Sequence, residues 1–221
     1  GAAPGPRRGA EMRELGMVRG DVAIRGGVIL EAGHGIAPGY GAELTWPAHG
    51  RLLTPGLVDP HTHAVFAGTR EDEFELRNSG VPYAEIAKRG GGIRKSVAQV
   101  RAASPDDLRA RARVSLRRML VHGTTTVEVK SGYGLSLADE VKLLEAARAV
   151  GDEGPVEVVT TFLGAHEVPP EYAGDRSGYV KLVCEQMIPE VARRGLARWC
   201  DVFCEKGVFE IEDSRLILEA A

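Results

Sequence analysis

From residue 57 onward the sequence alternates between short apolar runs and longer segments with helical periodicity. The apolar runs open at Leu57 and cover residues 124–129, 156–162 and 200–204. Nearly continuous apolar strands that alternate with helices are typical of a parallel sheet with helices packed outside it. The alternation predicts an α/β fold of about four β/α units. This is a partial TIM-like (β/α)8 barrel, because a complete barrel has eight such units.

Capping residues and glycines mark the expected helix boundaries. Ser104, followed by a proline and two aspartates, predicts the start of a helix that ends at His122. Ser136 predicts the start of the next helix, which Gly151 is expected to end. Further helices are expected at residues 81–89, at 177–196 with a break near Pro189, and from 213 to 221.

Residues 1–55 show little helical periodicity and differ from the rest of the chain. Two β-type runs, at 21–24 and 28–30, flank Arg25-Gly26-Gly27, which predicts a hairpin. We therefore expect two parts. Residues 1–55 form the N-terminal segment of a small β domain, and residues 56–221 form the first half of a barrel.

Composition narrows the class of protein. The chain of 221 residues is 43% hydrophobic and 27% charged, with a net charge of −3, so neither nucleic acid nor a membrane surface is an expected partner. No apolar run approaches the length of a membrane span. The three cysteines are an odd count without a disulfide pattern, which favours a reducing cytoplasm.

The segment Leu57-Val58-Asp59-Pro60-His61-Thr62-His63 places two histidines two residues apart at the end of a predicted strand. Alternate residues of a strand point to the same face, so both imidazoles can converge on one point. Neutral imidazole is a good ligand for zinc and iron. His61 and His63 are therefore candidate metal ligands, with a chance loop motif as the alternative.

Other polar residues also follow predicted strands, where α/β barrels carry their sites. Arg70 follows the first strand, Tyr133 the second and His166 the third. The alternatives are a surface ion pair with Glu71 or Asp72 for Arg70, a packing role for Tyr133 and a loop role for His166. Glu128 and Lys130 share strand parity, which favours an ion pair inside the barrel.

These segments resemble a known group of enzymes. Pro55-Gly56-Leu57-Val58-Asp59-Pro60-His61-Thr62-His63 is similar to the first-strand signature of the amidohydrolase superfamily. Further segments resemble the imidazolonepropionase family in particular: VFAGTREDEF at 65–74, GGGI at 90–93, EVKSGYGL at 128–135, TFLGAH at 161–166 and CDVFCE at 200–205. The resemblance runs from about residue 20 to the end and covers the first half of the family's length.

The resemblance implies hydrolysis of a ring C–N bond of 4-imidazolone-5-propanoate to N-formimidoyl-L-glutamate in histidine degradation. It implies one zinc or iron ion per subunit, held partly by His61 and His63. Arg70, Tyr133 and His166 match the family's substrate-contacting positions. It also implies a small β-sandwich segment before the barrel and a homodimer. The remaining metal ligands and the acid/base residues are expected beyond residue 221.

Two other functions remain open from the sequence. One is another cyclic amidohydrolase or aminohydrolase, such as a guanine deaminase-like enzyme. The other is a non-catalytic truncated fragment that binds metal or a partner. Arg70 with Tyr133 favours a substrate that carries a carboxylate.

Overall fold

The computed structural model describes residues 7–13, 16–82, 85–86 and 89–221. Contacts between residues divide the chain into two compact units, residues 1–54 and residues 55–221. The helix expected at 81–89 lies partly outside the described residues. None of the described helices combines the length and the apolar character needed to cross a membrane.

The first unit contains a β-hairpin. Strands β1 (Asp21–Arg25) and β2 (Val28–Gly33) pair antiparallel, with an irregularity in register between Ala23 and Ile24. Gly26 and Gly27 both have positive φ, at 56° and 77°, as a two-residue turn of this kind requires. The predicted hairpin is confirmed. The described part of this unit, residues 7–13 and 16–54, has no second sheet to pack on it, so the sandwich stays a prediction.

The second unit is built on a four-stranded sheet. Its strands are β3 (Leu57–Thr62), β4 (Thr124–Lys130), β5 (Glu157–Ala165) and β6 (Trp199–Val202). All neighbours pair parallel, and the order in the sheet is the order in the chain. The predicted alternation of strands and helices around a parallel sheet is confirmed. All four carboxyl ends therefore lie at one edge of the sheet.

Helices connect and flank these strands. They are α1 (Glu71–Asn78), α2 (Ile93–Ala102), α3 (Pro105–Val121), α4 (Leu137–Glu153), α5 (Arg176–Leu182), α6 (Ile188–Arg193) and α7 (Ile211–Ala220). Short 3-10 turns cover Gly9–Arg13, Ala37–Gly39 and Pro170–Tyr172. The sequence did not predict α1 or α2.

Two helices begin at the predicted caps, whereas one helix does not end at the predicted residue. The hydroxyls of Ser104 and Ser136 each accept a hydrogen bond from the backbone three residues later, at 3.1 and 3.2 Å. Helix α4 continues past Gly151 to Glu153, so the expected end at Gly151 is wrong. A Cβ at Gly151 would lie 2.8 Å from Cβ of Val158. This glycine lets α4 approach β5 closely and does not end the helix.

The break expected near Pro189 takes the form of a π-helical turn. Residues Val183–Met187 widen the helix between α5 and α6, directly before the proline. Proline has no N–H to continue the regular bonding pattern, and a wider turn accommodates it. The core around the sheet is formed by β4, β5 and the inner faces of the helices, where Val127, Leu143 and Phe162 are almost fully buried.

Candidate metal and substrate site

The histidine pair lies at the carboxyl end of β3. His61 is within the strand and exposed, whereas His63 follows the last strand residue and is half-buried. Their ring centroids are 6.1 Å apart, and the ring planes are inclined by 68°. Two imidazoles that share one zinc ion at about 2.1 Å from each nitrogen have centroids roughly 5–6 Å apart. The observed separation of 6.1 Å is close to the upper end of that range.

His63 is surrounded by rings from the next two strand ends. Its centroid is 4.6 Å from that of Tyr133, and it stacks on His166 at 4.8 Å with an interplanar angle of 7°. The Nδ1 atom of His63 is buried and has no hydrogen-bond partner among the described residues. Burial, together with neighbouring His166, His61 and Lys130, lowers the pKa of His63 to about 3. The ring is therefore uncharged at neutral pH, as a metal ligand must be.

His166 directly follows β5 and has a defined tautomer. Its Nδ1 lies 2.9 Å from the carbonyl oxygen of Gly132. Because a carbonyl oxygen only accepts, Nδ1 carries the proton and Nε2 is left as an acceptor. Burial lowers the pKa of His166, against the hydrogen bond to Gly132, which raises it. The site thus holds a second neutral imidazole with a basic nitrogen.

Tyr133 lies in the loop after β4, residues 131–135, which is held by buried hydrogen bonds. The Glu140 carboxylate in α4 accepts from the backbone N–H groups of Gly132, Gly134 and Leu135, at 2.8–2.9 Å. Arg101 donates to the carbonyl oxygens of Gly134 and Leu135 from the other side of the loop. Glu140 was not among the residues predicted from the sequence. The available signal was its position in the first turn of a capped helix, next to the Gly-rich loop.

Arg70 lies on the wall of a cavity of about 210 Å3 that His63 and Tyr133 also line. Its side chain is 42% exposed, and its Nε is 3.9 Å from the carboxylate of Glu73. Glu73 is buried and accepts a hydrogen bond from the backbone of Gly92 at 3.0 Å. The acidic neighbour of Arg70 is thus the buried Glu73, not Glu71 or Asp72 as the alternative proposed, and Arg70 also lines the cavity. His61 and His166 are not among the residues that line this cavity.

Lys130 forms the predicted ion pair with Glu128, at 2.9 Å, and a second one with Asp201, at 2.8 Å. Burial opposes its charge, but hydrogen bonds to the two carboxylates outweigh this effect and raise the pKa of Lys130. Thr161 donates to Glu128 at 2.6 Å, so the network joins β4, β5 and β6. The sequence pattern did not identify Asp201 as a partner of Lys130. Glu205, at the end of the CDVFCE segment, is exposed and accepts a hydrogen bond from the Lys206 backbone at 3.1 Å.

The described residues supply only part of a metal site. Among residues 7–13, 16–82, 85–86 and 89–221, no group of three or more His, Cys, Asp or Glu side chains could hold one ion. Catalytic zinc sites usually have three protein ligands and a water. The unpartnered nitrogen and the uncharged ring of His63 fit a metal ligand, and a complete site of this kind would need ligands beyond those that the described residues bring together.

A histidine pair at the carboxyl edge of a parallel α/β sheet, beside a cavity with an arginine, is the arrangement typical of metal-dependent hydrolases built on (β/α) barrels. Comparison with known proteins refines this class. No protein-family model matches the chain. Curated proteins named imidazolonepropionase match almost all of it.

Three of these relatives show how similar the chain is to them. The chain is 53% identical to the imidazolonepropionase of Caulobacter vibrioides over 209 residues, which is 94% of the chain and 52% of the relative. It is 50% identical to that of Symbiobacterium thermophilum over 227 residues, 99% of the chain and 53% of the relative. It is 47% identical to that of Shouchella clausii over 226 residues, 99% of the chain and 51% of the relative. The resemblance to imidazolonepropionases is confirmed, and the chain spans about half the length of the curated relatives it matches.

Proposed function

We propose that the chain is the N-terminal half of an imidazolonepropionase and forms the first part of its (β/α)8 hydrolase barrel. The complete protein hydrolyses the ring C–N bond of 4-imidazolone-5-propanoate and releases N-formimidoyl-L-glutamate. One observation carries this proposal beyond sequence identity. The rings of His63, Tyr133 and His166 come from three successive strand ends and lie within 5.4 Å of one another.

In this proposal His61 and His63 hold one zinc or iron ion together with ligands from the other half of the protein. When bound, the ion lowers the pKa of a water molecule and polarises the bond to be cleaved. The chain's own contribution is two imidazoles at the carboxyl end of β3, of which His63 is uncharged at neutral pH. The low pKa of His63 means that protons do not compete with the metal for it at neutral pH.

The substrate carboxylate binds Arg70, whose planar guanidinium can hold it with two parallel hydrogen bonds. The heterocycle then lies towards His63, because Arg70 and His63 line the same cavity. Tyr133 and His166 orient the ring. His166 does so through Nε2 as an acceptor, since its Nδ1–H is committed to Gly132.

The experiment that tests the substrate class uses a chain completed to the length of its relatives. Arg70→Lys keeps the charge but loses the bidentate fork, so KM should rise by about 10-fold or more with little change in kcat. Arg77→Lys, at an exposed position of α1, the helix that begins directly after Arg70, is the matched control and should leave both constants unchanged. An unchanged KM in Arg70→Lys would show that the carboxylate binds elsewhere.

The remaining alternatives make different predictions for the same assay. A guanine deaminase-like enzyme would act on a purine without a carboxylate and would be insensitive to Arg70→Lys. A non-catalytic fragment would bind metal without any turnover in the completed protein. The three free cysteines suit a cytoplasmic setting, and the homodimer is proposed from the family resemblance alone.

A further inference from the structure

Gln99 in α2 lines the same cavity as His63 and Arg70. Its carbonyl oxygen Oε1 is buried and has no hydrogen-bond partner among the described residues. Buried side-chain acceptors in proteins are nearly always paired, and an unpaired one is costly. Because Gln99 and the candidate metal ligand His63 line one cavity, the missing donor is one that a bound ligand can supply when the amide turns towards that cavity.

The backbone holds the Gln99 amide in place. A Cβ at Gly68 would lie 2.1 Å from Cδ of Gln99 and 2.3 Å from both Oε1 and Nε2. Gly68 also has a φ of +69°, which other residues rarely adopt. The amide thus rests directly on the backbone of Gly68, two residues before Arg70. Any side chain at position 68 would displace it, so the position of the amide in the cavity depends on this glycine.

Arg70 and Gln99 line the same cavity, so a ligand that contacts both needs two features. Arg70 suits a carboxylate, and the Gln99 carbonyl suits an N–H. A heterocycle with a ring N–H and a carboxylate on a flexible arm presents both groups.

We infer that Gln99 is a specificity-determining residue that accepts a hydrogen bond from a ring N–H of the substrate while Arg70 holds its carboxylate. This inference rests on the proposed function for the identity of the ring. It adds a second recognition point, because a carboxylate alone cannot distinguish an N–H heterocycle from one without that donor. Sites built around a hydrogen bond discriminate strongly against ligands that lack it.

The test measures binding, so it does not depend on turnover. The probe is imidazole-4-propanoate, which has one ring N–H in its neutral form and a propanoate arm, and its two N-methyl isomers have no ring N–H when neutral. Calorimetry on the metal-depleted, full-length protein, at a pH where the ring is neutral, gives Kd for each ligand. Wild type should bind both N-methyl isomers about 10-fold more weakly than the parent.

The decisive variant is Gln99→Met, which keeps an unbranched side chain of similar length and removes the amide. It should bind the parent about 10-fold more weakly and lose the discrimination against the two N-methyl isomers. Gln186→Met, at the exposed glutamine of the π-helical turn, is the matched control and should behave as wild type. Should Gln99→Met fail to fold, Gln99→Asn retracts the same amide by one methylene and should weaken the discrimination in the same direction.

The outcomes separate this inference from the proposed function. Unchanged affinity and unchanged discrimination in Gln99→Met overturn the role of Gln99, even where wild type turns over 4-imidazolone-5-propanoate. Discrimination that depends on Gln99 in a protein without such turnover supports the role of Gln99 and rejects the proposed reaction. Wild type that binds neither the parent nor its isomers overturns both.

Discussion

His63 is prepared for metal binding by its surroundings. It is stacked on one side by His166, contacted by Tyr133 and buried enough that its pKa falls to about 3. A histidine in that state is uncharged well above pH 3, so one ring nitrogen keeps a lone pair for a cation at neutral pH. Because the folded chain disfavours protonation of His63, the free energy of unfolding of the metal-free chain should depend on pH.

The metal-free chain should lose stability in mild acid because of His63. In the unfolded chain this histidine takes up a proton near pH 6.5, whereas in the folded chain it does so only near pH 3. Its contribution is therefore complete above pH 6.5 and lost as the pH falls towards 3, with about 2 kcal/mol lost between pH 7 and pH 5.

Urea unfolding at the two pH values measures this loss. His63→Asn removes the titrating group and should lose about 2 kcal/mol less than wild type between pH 7 and pH 5. His122→Asn changes an exposed histidine at the end of α3 and should keep the wild-type dependence. Equal losses in wild type and His63→Asn would mean that His63 is not buried as an uncharged ring.

At the scale of elements, the Tyr133 loop depends on Glu140. Three backbone donors converge on this fully buried carboxylate, and burial raises its pKa against the hydrogen bonds from Ser131 and the backbone, which lower it. Gly132 completes the turn. Its φ is +106°, and a Cβ there would lie 2.8 Å from Nδ1 of His166. The loop is thus shaped to bring Tyr133 and His166 together.

Glu140→Gln should weaken this loop. An amide oxygen can accept from two of the three N–H groups, but its NH2 group then faces the third donor. A buried donor without an acceptor costs about 1–3 kcal/mol, so the free energy of unfolding should fall by about 2 kcal/mol. Chemical denaturation measures the change. Glu145→Gln, on the exposed side of the same helix where Glu145 pairs with Arg194, should change stability by less than about 0.5 kcal/mol. Equal effects of the two variants would contradict the role given to Glu140.

Features that depend on residues close together in the chain could be predicted from the sequence. Features that depend on contacts between distant elements could not. The Ser104 and Ser136 caps involve backbone groups three residues away, so the sequence pattern contains the whole interaction. Helix α1 has only Glu73 buried and therefore no apolar periodicity to detect. The end of α4 was misjudged because the reason for Gly151 lies in the neighbouring strand.

The residues of the candidate site also differ in whether the sequence could predict them. His63, Tyr133 and His166 could be selected because each follows a strand, and parallel strands bring such residues to one edge. Lys130 and Asp201 are 71 residues apart, and their pairing depends on which strands are neighbours. Gln99 comes from a helix and not from a strand end. Nothing in the sequence around it indicates that its amide rests on Gly68.

At the scale of the whole molecule, the second unit is apolar at both edges of its sheet. Leu57 and Val58 on β3 are 56% and 63% exposed, and Trp199 on β6 is 58% exposed. A groove of about 410 Å3 near β6 is lined by Cys204, Ile211 and Leu218. Because the relatives are about twice as long, we propose that the other half of the barrel covers these surfaces.

Cysteine labelling tests this coverage. In the 221-residue chain Cys204 is exposed and should react rapidly with iodoacetamide. Cys200 should react slowly, because burial raises the pKa of its thiol to about 11. In a protein of the relatives' length, the labelling rate of Cys204 should be at least about 10-fold lower, since the thiol must be accessible to react. Equal labelling rates in the two proteins would mean that nothing packs on this groove.

The most direct test of the account is the rate of N-formimidoyl-L-glutamate release from 4-imidazolone-5-propanoate, measured with zinc or iron and a chain completed to the length of its relatives. We expect metal-dependent turnover by this protein. We expect a loss of turnover of at least about 100-fold in His61→Asn and His63→Asn. The 221-residue chain alone should show no turnover, because its described residues bring together no group of three metal ligands. Undiminished turnover without the histidine pair, or release of ammonia from guanine in place of this reaction, would contradict this account.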